Sequence, residues 1–466
     1  MRRRRIWMLG TILVAALMIA GFAFGQNGGY VHMESTAFLR VYNDRSRPVW
    51  EIIYDPLVTD WNAYQARELS YLVDWADARF IYACASRGMA HFYSLSAMVI
   101  LLLCVVMQQY FLERDFPALP PYLCSLLSLA FVASPSCREF VFFRSAKPLT
   151  GLAATAICFA SWRIFLRRDR ESAGRKVWLM LGAALFLAPL ADRQGAFLTA
   201  CFAGICGALL VGSAFQPVRE YFKIGDEAMK KLYIAALLGG GAVLFGAIYD
   251  MHIAPALIRA FNGYDPSFEY QNIGGGGLFN FTGGGLFLLD NLGFFFLRTY
   301  NTTAFTAGIL LVIAWTWFYI FRIRRDPRQT PAALLTAGCL AAMLACADLM
   351  SFRHPLMLRN DVLHGAYFMP MLAVLVFLAA LTAECAKSRT ANRIIAGMFA
   401  LSLAATALEP HIPHQPFEDH QQMFKDTSPL VRKAMNEPDL DANTALLPYS
   451  SLKLVEHFRA TMPRKR

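Results

Sequence analysis

The chain has ten cysteines but no Cys-x-x-Cys step and no paired metal-ligand spacing. Neither a redox dithiol nor a zinc module is therefore expected to organise it. It also shows no internal repeat and no inverted half-symmetry, which argues against a solenoid and against a transporter built from duplicated bundles. Charge is sparse as well: charged residues are 17% of 466 positions, against 56% hydrophobic. A soluble globular chain of this length needs more polar surface, so the bilayer is the natural solvent. The net charge of +11 invites a nucleic-acid reading. Most Lys and Arg, however, stand in short clusters between apolar runs, where they set membrane orientation, and no nucleic-acid partner is expected. Most cysteines sit inside those runs as small hydrophobes. Cys84 and Cys137 do not, and a disulfide between them is open.

What is present is a succession of apolar runs. The first, residues 6–24, follows Arg2, Arg3, Arg4 and Arg5 and is long enough to cross a bilayer. Its length, and the lack of a following A-x-A site, favour a retained anchor over a cleaved signal peptide. Further runs cover 92–111, 122–133, 149–165, 177–191, 196–215, 232–248, 304–321, 332–350, 366–383 and 394–408. The expectation is an all-α polytopic membrane protein of about 11 transmembrane helices. Threaded alternately, the runs bring the basic stretches 163–176, 219–231, 322–328 and 387–393 to the side of the N-terminus. The positive-inside rule then makes that side cytoplasmic, in an inner (plasma) membrane of bacterial type. The transmembrane domain spans 1–408. Outside the cytoplasm lie a first loop at 25–91, a Gly-rich loop at 249–303 and a tail at 409–466.

The polar residues with chemical potential fall on that outer side. In the first loop, the segment from Asp60 through Tyr64, Arg67, Glu68, Asp74 and Asp77 to Phe80 reads as a helix. One face carries Leu69, Leu72 and Ala76, and another Trp61, Tyr64 and Glu68. Such a helix can lie along the membrane surface and present carboxylates to a cavity, or simply be a loop helix held by local polar pairs. Arg138, Arg144 and Lys147 share one outer turn among aromatics and break the charge bias of the rest of the chain. Phosphate recognition is one reason for them. Arg193 stands beside Asp192 in a very short turn, where charge is used or paired. Arg353, His354, Arg359, Asp361 and His364 form the densest polar cluster beside a span. That cluster reads either as a phosphate clamp with a proton-transfer histidine or as an interfacial ring of snorkelling side chains. His411, His414 and His420 alternate with prolines in an extended linker, a weak metal signal. No residue is assigned to metal, and a divalent-cation requirement stays open.

The amino-terminal anchor, large outer first loop, cationic outer turns and outer tail together resemble the GT-C glycosyltransferases. These are polytopic enzymes that take sugars from polyprenyl-phosphate carriers on the non-cytoplasmic face. The local match is to the first loop of the aminoarabinose and protein-mannosyl transferase branch, where an acid precedes a Tyr and then an Arg-Glu-hydrophobic step. Asp60, Tyr64 and Arg67-Glu68-Leu69 stand in those places. Trp61 replaces the second acid of the common Asp-Glu pair, and the step from Tyr64 to Arg67 is short. The resemblance implies a polyprenyl-phosphate-linked sugar donor, a glycan, lipid or protein acceptor, and inverting transfer. Such chemistry needs a carboxylate to take the acceptor proton and cations to stabilise the departing phosphate. Asp60 is the first candidate base and Glu68 the second. Tyr64, Arg67, Arg138, Arg144, Lys147, Arg193, Arg353, His354, Arg359 and His364 are the substrate-binding candidates. Rival readings are an O-antigen ligase or polymerase relying on the late Arg/His turn, a lipid or glycan transporter, and a non-catalytic scaffold.

Overall fold

The computed structural model describes residues 2–24, 33–55, 63–64, 66–134, 137, 141, 148–165, 174–221, 225–263, 267–268, 361–386 and 388–408. Apart from a two-residue parallel pairing of Ala63–Tyr64 (β1) with Ser267–Phe268 (β2), regular structure among these residues is helical. The helices are α1 (Arg2–Phe24), α2 (Met33–Tyr42), α3 (Val49–Ile53), α4 (Glu68–Ala85), α5 (Leu95–Asp115), α6 (Pro121–Ala133) and α7 (Pro148–Phe165). They continue as α8 (Arg175–Ala191), α9 (Arg193–Gly212), α10 (Gln216–Tyr221), α11 (Asp226–Ile248), α12 (Ala254–Asn262), α13 (Asp361–Ala386) and α14 (Arg389–Leu408).

Five helical stretches among the described residues are long and apolar enough to cross a membrane: Arg4–Phe24, Leu95–Asp115, Pro148–Phe165, Gln194–Gly212 and Asp226–Asn262. The predicted runs at 304–321 and 332–350, and the tail from 409, lie outside the described residues. Every other predicted run coincides with a helix, because hydrocarbon leaves backbone amides no partner but their own chain. The starts are set by local chemistry. Ser94 caps α5 by accepting from Ala97 N, Pro121 opens α6, and Asp192 caps α9 by accepting from Gln194 N.

One boundary differs from expectation. The run expected to end at residue 248 continues through a π-helical turn, Tyr249–Ile253, into α12. Pro255 has no N–H for the preceding turn and its ring crowds that turn's carbonyl. A wider i to i+5 turn just upstream lets the helix pass this defect rather than stop. Gly263, at φ 75°, then closes α12 by donating to the Arg259 carbonyl at 3.0 Å.

The ends of the spans meet in two groups. At one end Arg4 Nη1 donates to the Glu113 carbonyl at 2.7 Å, Trp162 Nε1 to the Asp115 carbonyl at 3.4 Å, and Ala118 N to Glu384 Oε2 at 2.8 Å. At the other end the rings of Phe24 and Tyr93 meet at 5.9 Å, and α4 lies against the ends of α5 and α8. Among the described residues these contacts gather ends of α1, α5, α7 and α13 on one side and ends of α1, α5 and α8 on the other.

Between the two ends, α13 runs through the middle of the bundle, with Met369, Pro370 and residues 372–383 buried. Phe377 stands edge-on to Phe159 at 5.3 Å, Phe159 stacks on Phe111 at 5.4 Å, and Phe116 stacks on Trp162 at 4.9 Å. Lipid is as apolar as these side chains, so close packing and interhelical hydrogen bonds must supply the cohesion. Gln109 Nε2 donates to the Cys124 carbonyl at 2.8 Å and to Ser128 Oγ at 2.9 Å, and Thr11 Oγ1 donates to Ser125 Oγ at 2.7 Å. Apolar side chains of α1 such as Leu9, Leu13 and Leu17 stay exposed and face the surrounding solvent, here the bilayer.

The tightest approach is the turn between α8 and α9, where a Cβ on Gly195 would sit 1.9 Å from the Ala188 carbonyl oxygen. That oxygen is backbone and cannot rotate away. Gly195→Ala is therefore expected to destabilise the bundle by at least about 2 kcal/mol. Thermal unfolding of the detergent-purified protein would show the loss, and a wild-type transition would contradict this account of the turn.

Candidate functional site: an acidic helix turned onto one end of the bundle

The first-loop helix starts at Glu68, not at Asp60. Asp60 and Trp61 lie outside the described residues, and Tyr64 belongs to β1. The backbone at Tyr64 is extended and pairs with Phe268, so the helix predicted through Tyr64 is replaced there by a strand. Arg67, at φ −149°, is the residue before the first helical turn.

The buried face of α4 mixes apolar and acidic side chains. Leu72 and Phe80 are exposed at 42% and 40%, and Ala76 is exposed too. Glu68, Asp74 and Asp77 are buried along with Tyr71, Ala78, Ile81 and Tyr82. The carboxylate face is turned onto the ends of the spans and must be satisfied there. Asp77 accepts from Ser94 Oγ and from Ser96 N at 2.9 Å, which ties the middle of α4 to the start of α5. Burial pushes its carboxyl up, and these hydrogen bonds oppose that. Ser70 Oγ donates to the Ala191 carbonyl, fixing the start of α4 on the end of α8.

Arg67 joins the α8–α9 turn from the same end. Its Nη1 stands 3.8 Å from Asp192 Oδ2, its Nε donates to Tyr71 Oη at 3.1 Å, and its guanidinium lies 5.2 Å from the Tyr71 ring centre. The acid of the Asp192-Arg193 turn is thus held by Arg67, a residue far away in sequence. Arg193 is the first residue of α9.

Glu68 is one residue further along. It is 7% exposed, and burial pushes its carboxyl up to about 8, with the nearby charge of Asp250 adding to that rise. Its own backbone N–H and the Tyr249 hydroxyl favour the ionised form, but neither carboxylate oxygen closes a hydrogen bond of full geometry. Tyr249 comes from the π-helical turn, which carries its hydroxyl to within 2.6 Å of the Tyr54 hydroxyl. Burial raises the Tyr54 phenol as well, the Tyr249 hydrogen bond lowers it, and Glu68 adds a further rise. Tyr54 is anchored through its carbonyl, which accepts from Asn262 Nδ2 at 2.9 Å. Asn262 Oδ1 in turn accepts from Arg47 Nη2 at 2.7 Å, and Arg47 Nη1 reaches Asp55 Oδ2 at 2.7 Å. The arrangement is a dehydrated carboxyl beside two coupled phenols, able to hold a proton near neutral pH and pass it along hydroxyls.

Of the residues singled out in sequence, Arg67 and Glu68 are brought into this site. Arg138, Arg144, Lys147, Arg353, His354 and Arg359 lie outside the described residues, and His364 falls in the first turn of α13. Cys84 and Cys137 are free thiols, Cys137 being fully buried near the Phe131 carbonyl. Among the described residues, no group of three or more His, Cys, Asp or Glu is placed to hold a metal ion. Tyr54, Tyr249 and Asn262 carried no signal in sequence. Tyr249 looked like the first residue of a loop, and only the continuation of α11 gives it a defined direction.

The fold and the site define an all-helical membrane protein with a polar, partly dehydrated cluster at one end of its bundle. Comparison of the chain with known families, characterised proteins and solved structures gives no match.

The raised Glu68 carboxyl has a sign for stability. The folded chain keeps this proton up to about pH 8, whereas the unfolded chain releases it near 4.5. Folding stability from this group is therefore full below 4.5 and lost as pH rises through about 8. Glu68→Gln keeps the shape and cannot ionise. Thermal unfolding from about pH 5 to about pH 9 should show the variant matching wild type at the acid end and exceeding it at the alkaline end. A constant difference across that range would mean that Glu68 is not held neutral.

Proposed function

We propose that this chain is a GT-C-type membrane glycosyltransferase that moves a sugar from a polyprenyl-phosphate carrier to an acceptor on the extracytoplasmic face, with inversion. The observation that supports this reading most directly is the position of the Arg67-Glu68 step. It opens a helix whose carboxylates are turned inward, on the end of the bundle opposite Arg4 and Arg163. The positive-inside rule makes that end the outer one, in a bacterial-type inner membrane.

The two candidate acids are suited to different work. A carboxyl that stays protonated to about pH 8 is a poor base at neutral pH and a good proton donor or relay. Glu68 and its phenol partners are assigned that role. Asp60, eight positions earlier, is assigned as the base that takes the acceptor hydroxyl proton. Arg138, Arg144, Lys147, Arg193, Arg353 and Arg359 are the cations available to the departing phosphate, with His354 and His364 beside them. Arg67 positions the site by holding Asp192 and Tyr71. Grooves between the spans would receive the polyprenyl chain.

The test is transfer from a panel of polyprenyl-phosphate sugars by the full chain in proteoliposomes. Asp60→Asn should reduce transfer by about a thousandfold or more with normal expression. Glu68→Gln should keep measurable transfer while losing its alkaline limb in the pH profile. Full activity of Asp60→Asn would sink the assignment of the base. Loss on Arg353→Ala or Arg359→Ala with Asp60→Asn unaffected would favour ligase-type glycan transfer. Unchanged glycans in a deletion strain, with no donor used in vitro, would overturn the enzyme reading altogether.

A further inference from the structure

After α2 the chain turns through residues 43–48 before α3 begins. Between this turn and Tyr82 of α4 is a cavity of about 430 Å³, lined among others by Arg40, Asn43, Asp44, Arg45, Arg47 and Tyr82. Sites for small molecules fall in the range of roughly 300–1,000 Å³.

The walls are held from behind. Arg79 Nη2 donates to the Asp44 carbonyl at 2.7 Å and its Nη1 to the Asn43 carbonyl at 3.4 Å. Arg47 is engaged by Asp55 at 2.7 Å and Glu51 at 3.7 Å. Asp44 accepts from Ser46 N and Ser46 Oγ, and that bonding, with Arg47 and Arg79 nearby, holds its carboxyl below the usual range despite partial burial. Arg45 lies 5.0 Å over the Tyr82 ring, which braces the guanidinium without neutralising it. Among the described residues, neither Arg40 nor Arg45 has a carboxylate within 4 Å.

Asn43 is the decisive residue. It is 3% exposed, it lines the cavity, and among the described residues neither its Oδ1 nor its Nδ2 has a hydrogen-bond partner. A buried amide left so is costly, and the cost is recovered when the side chain turns toward the cavity and a ligand takes its bonds. The amide offers one donor group and one acceptor, which a hydroxyl can satisfy at both ends. Two unneutralised guanidinium forks beside it match the oxygens of a phosphate.

We propose that this pocket binds a phosphate ester borne on a hydroxylated, sugar-sized group. Arg40 and Arg45 take the phosphate, Asn43 bridges a hydroxyl, and Asp44 accepts from another. The site does not depend on the glycosyltransferase reading. The same chemistry is offered by a soluble sugar phosphate and by an inositol phospholipid headgroup, and these are separable by experiment.

The full chain in phosphatidylcholine nanodiscs is titrated calorimetrically, at fixed ionic strength, with glucose monophosphate, inorganic phosphate and glucose. Glucose monophosphate should bind more tightly than inorganic phosphate, and glucose should not bind. The Arg40→Ala/Arg45→Ala double variant should weaken binding about tenfold or more. Both side chains are exposed, so the variant should keep the wild-type unfolding transition, measured alongside. Asn43→Ala should narrow the gap between glucose monophosphate and inorganic phosphate. In parallel, native mass spectrometry after exchange into phosphatidylinositol nanodiscs reports retained lipid. Lipid retention lost in the double variant, without binding of the soluble ester, identifies the headgroup as the ligand. Equal binding by the double variant and wild type, or no binding of either the soluble ester or the lipid, would overturn the proposal.

Discussion

Everything at the α4 end of this molecule depends on the withdrawal of the α4 carboxylates from water. Glu68, Asp74 and Asp77 lie along one buried face, and buried acids must find donors or give up their charge. The structure does both. Asp77 is met by Ser94 and by the backbone N–H of Ser96, whereas Glu68 keeps its proton. Those two solutions fix where α4 sits. The first pins its middle to α5, and the second sets its start beside the paired hydroxyls of Tyr249 and Tyr54. Ser70 and Arg67 then lock that start onto the α8–α9 turn.

This arrangement connects elements far apart in sequence through short polar links. Arg47, Asn262, Tyr54, Tyr249 and Glu68 form a chain from the turn after α2 to the head of α4. The π-helical turn matters because it places the Tyr249 hydroxyl, and Pro255 gives it a local cause. Gly195 matters because its missing side chain lets α9 close on α8, which in turn brings Asp192 to Arg67. The glycosyltransferase reading uses this polar end for proton movement. The proposed phosphate-ester pocket, lined by Arg40, Asn43, Arg45 and Arg47, shares its scaffold.

Apolar runs were legible in sequence because hydrocarbon permits so few solutions. A run of about 20 apolar residues must be helical, and its ends follow from caps and prolines such as Ser94, Pro121 and Asp192. The same logic failed between α1 and α5. Helical spacing suggested a helix through Tyr64, but the backbone at Ala63 and Tyr64 pairs with Ser267 and Phe268. Exposed Leu72 and buried Asp77 depart from the expected faces because the packed side of α4, apolar at Ala78 and Ile81, also meets Ser94 and the Ser96 N–H, which receive the carboxylate.

The sequence alone determined the solvent and the helical class, because each follows from composition and period along one stretch of chain. It also marked Arg67 and Glu68 as residues worth watching. Only the tertiary structure decided that Arg67 serves Asp192, that Glu68 faces Tyr249, and that Asn43 is buried beside two free arginines. Those are properties of pairs and cavities. Their energies depend on which groups meet away from water, and no local pattern of residues encodes that meeting.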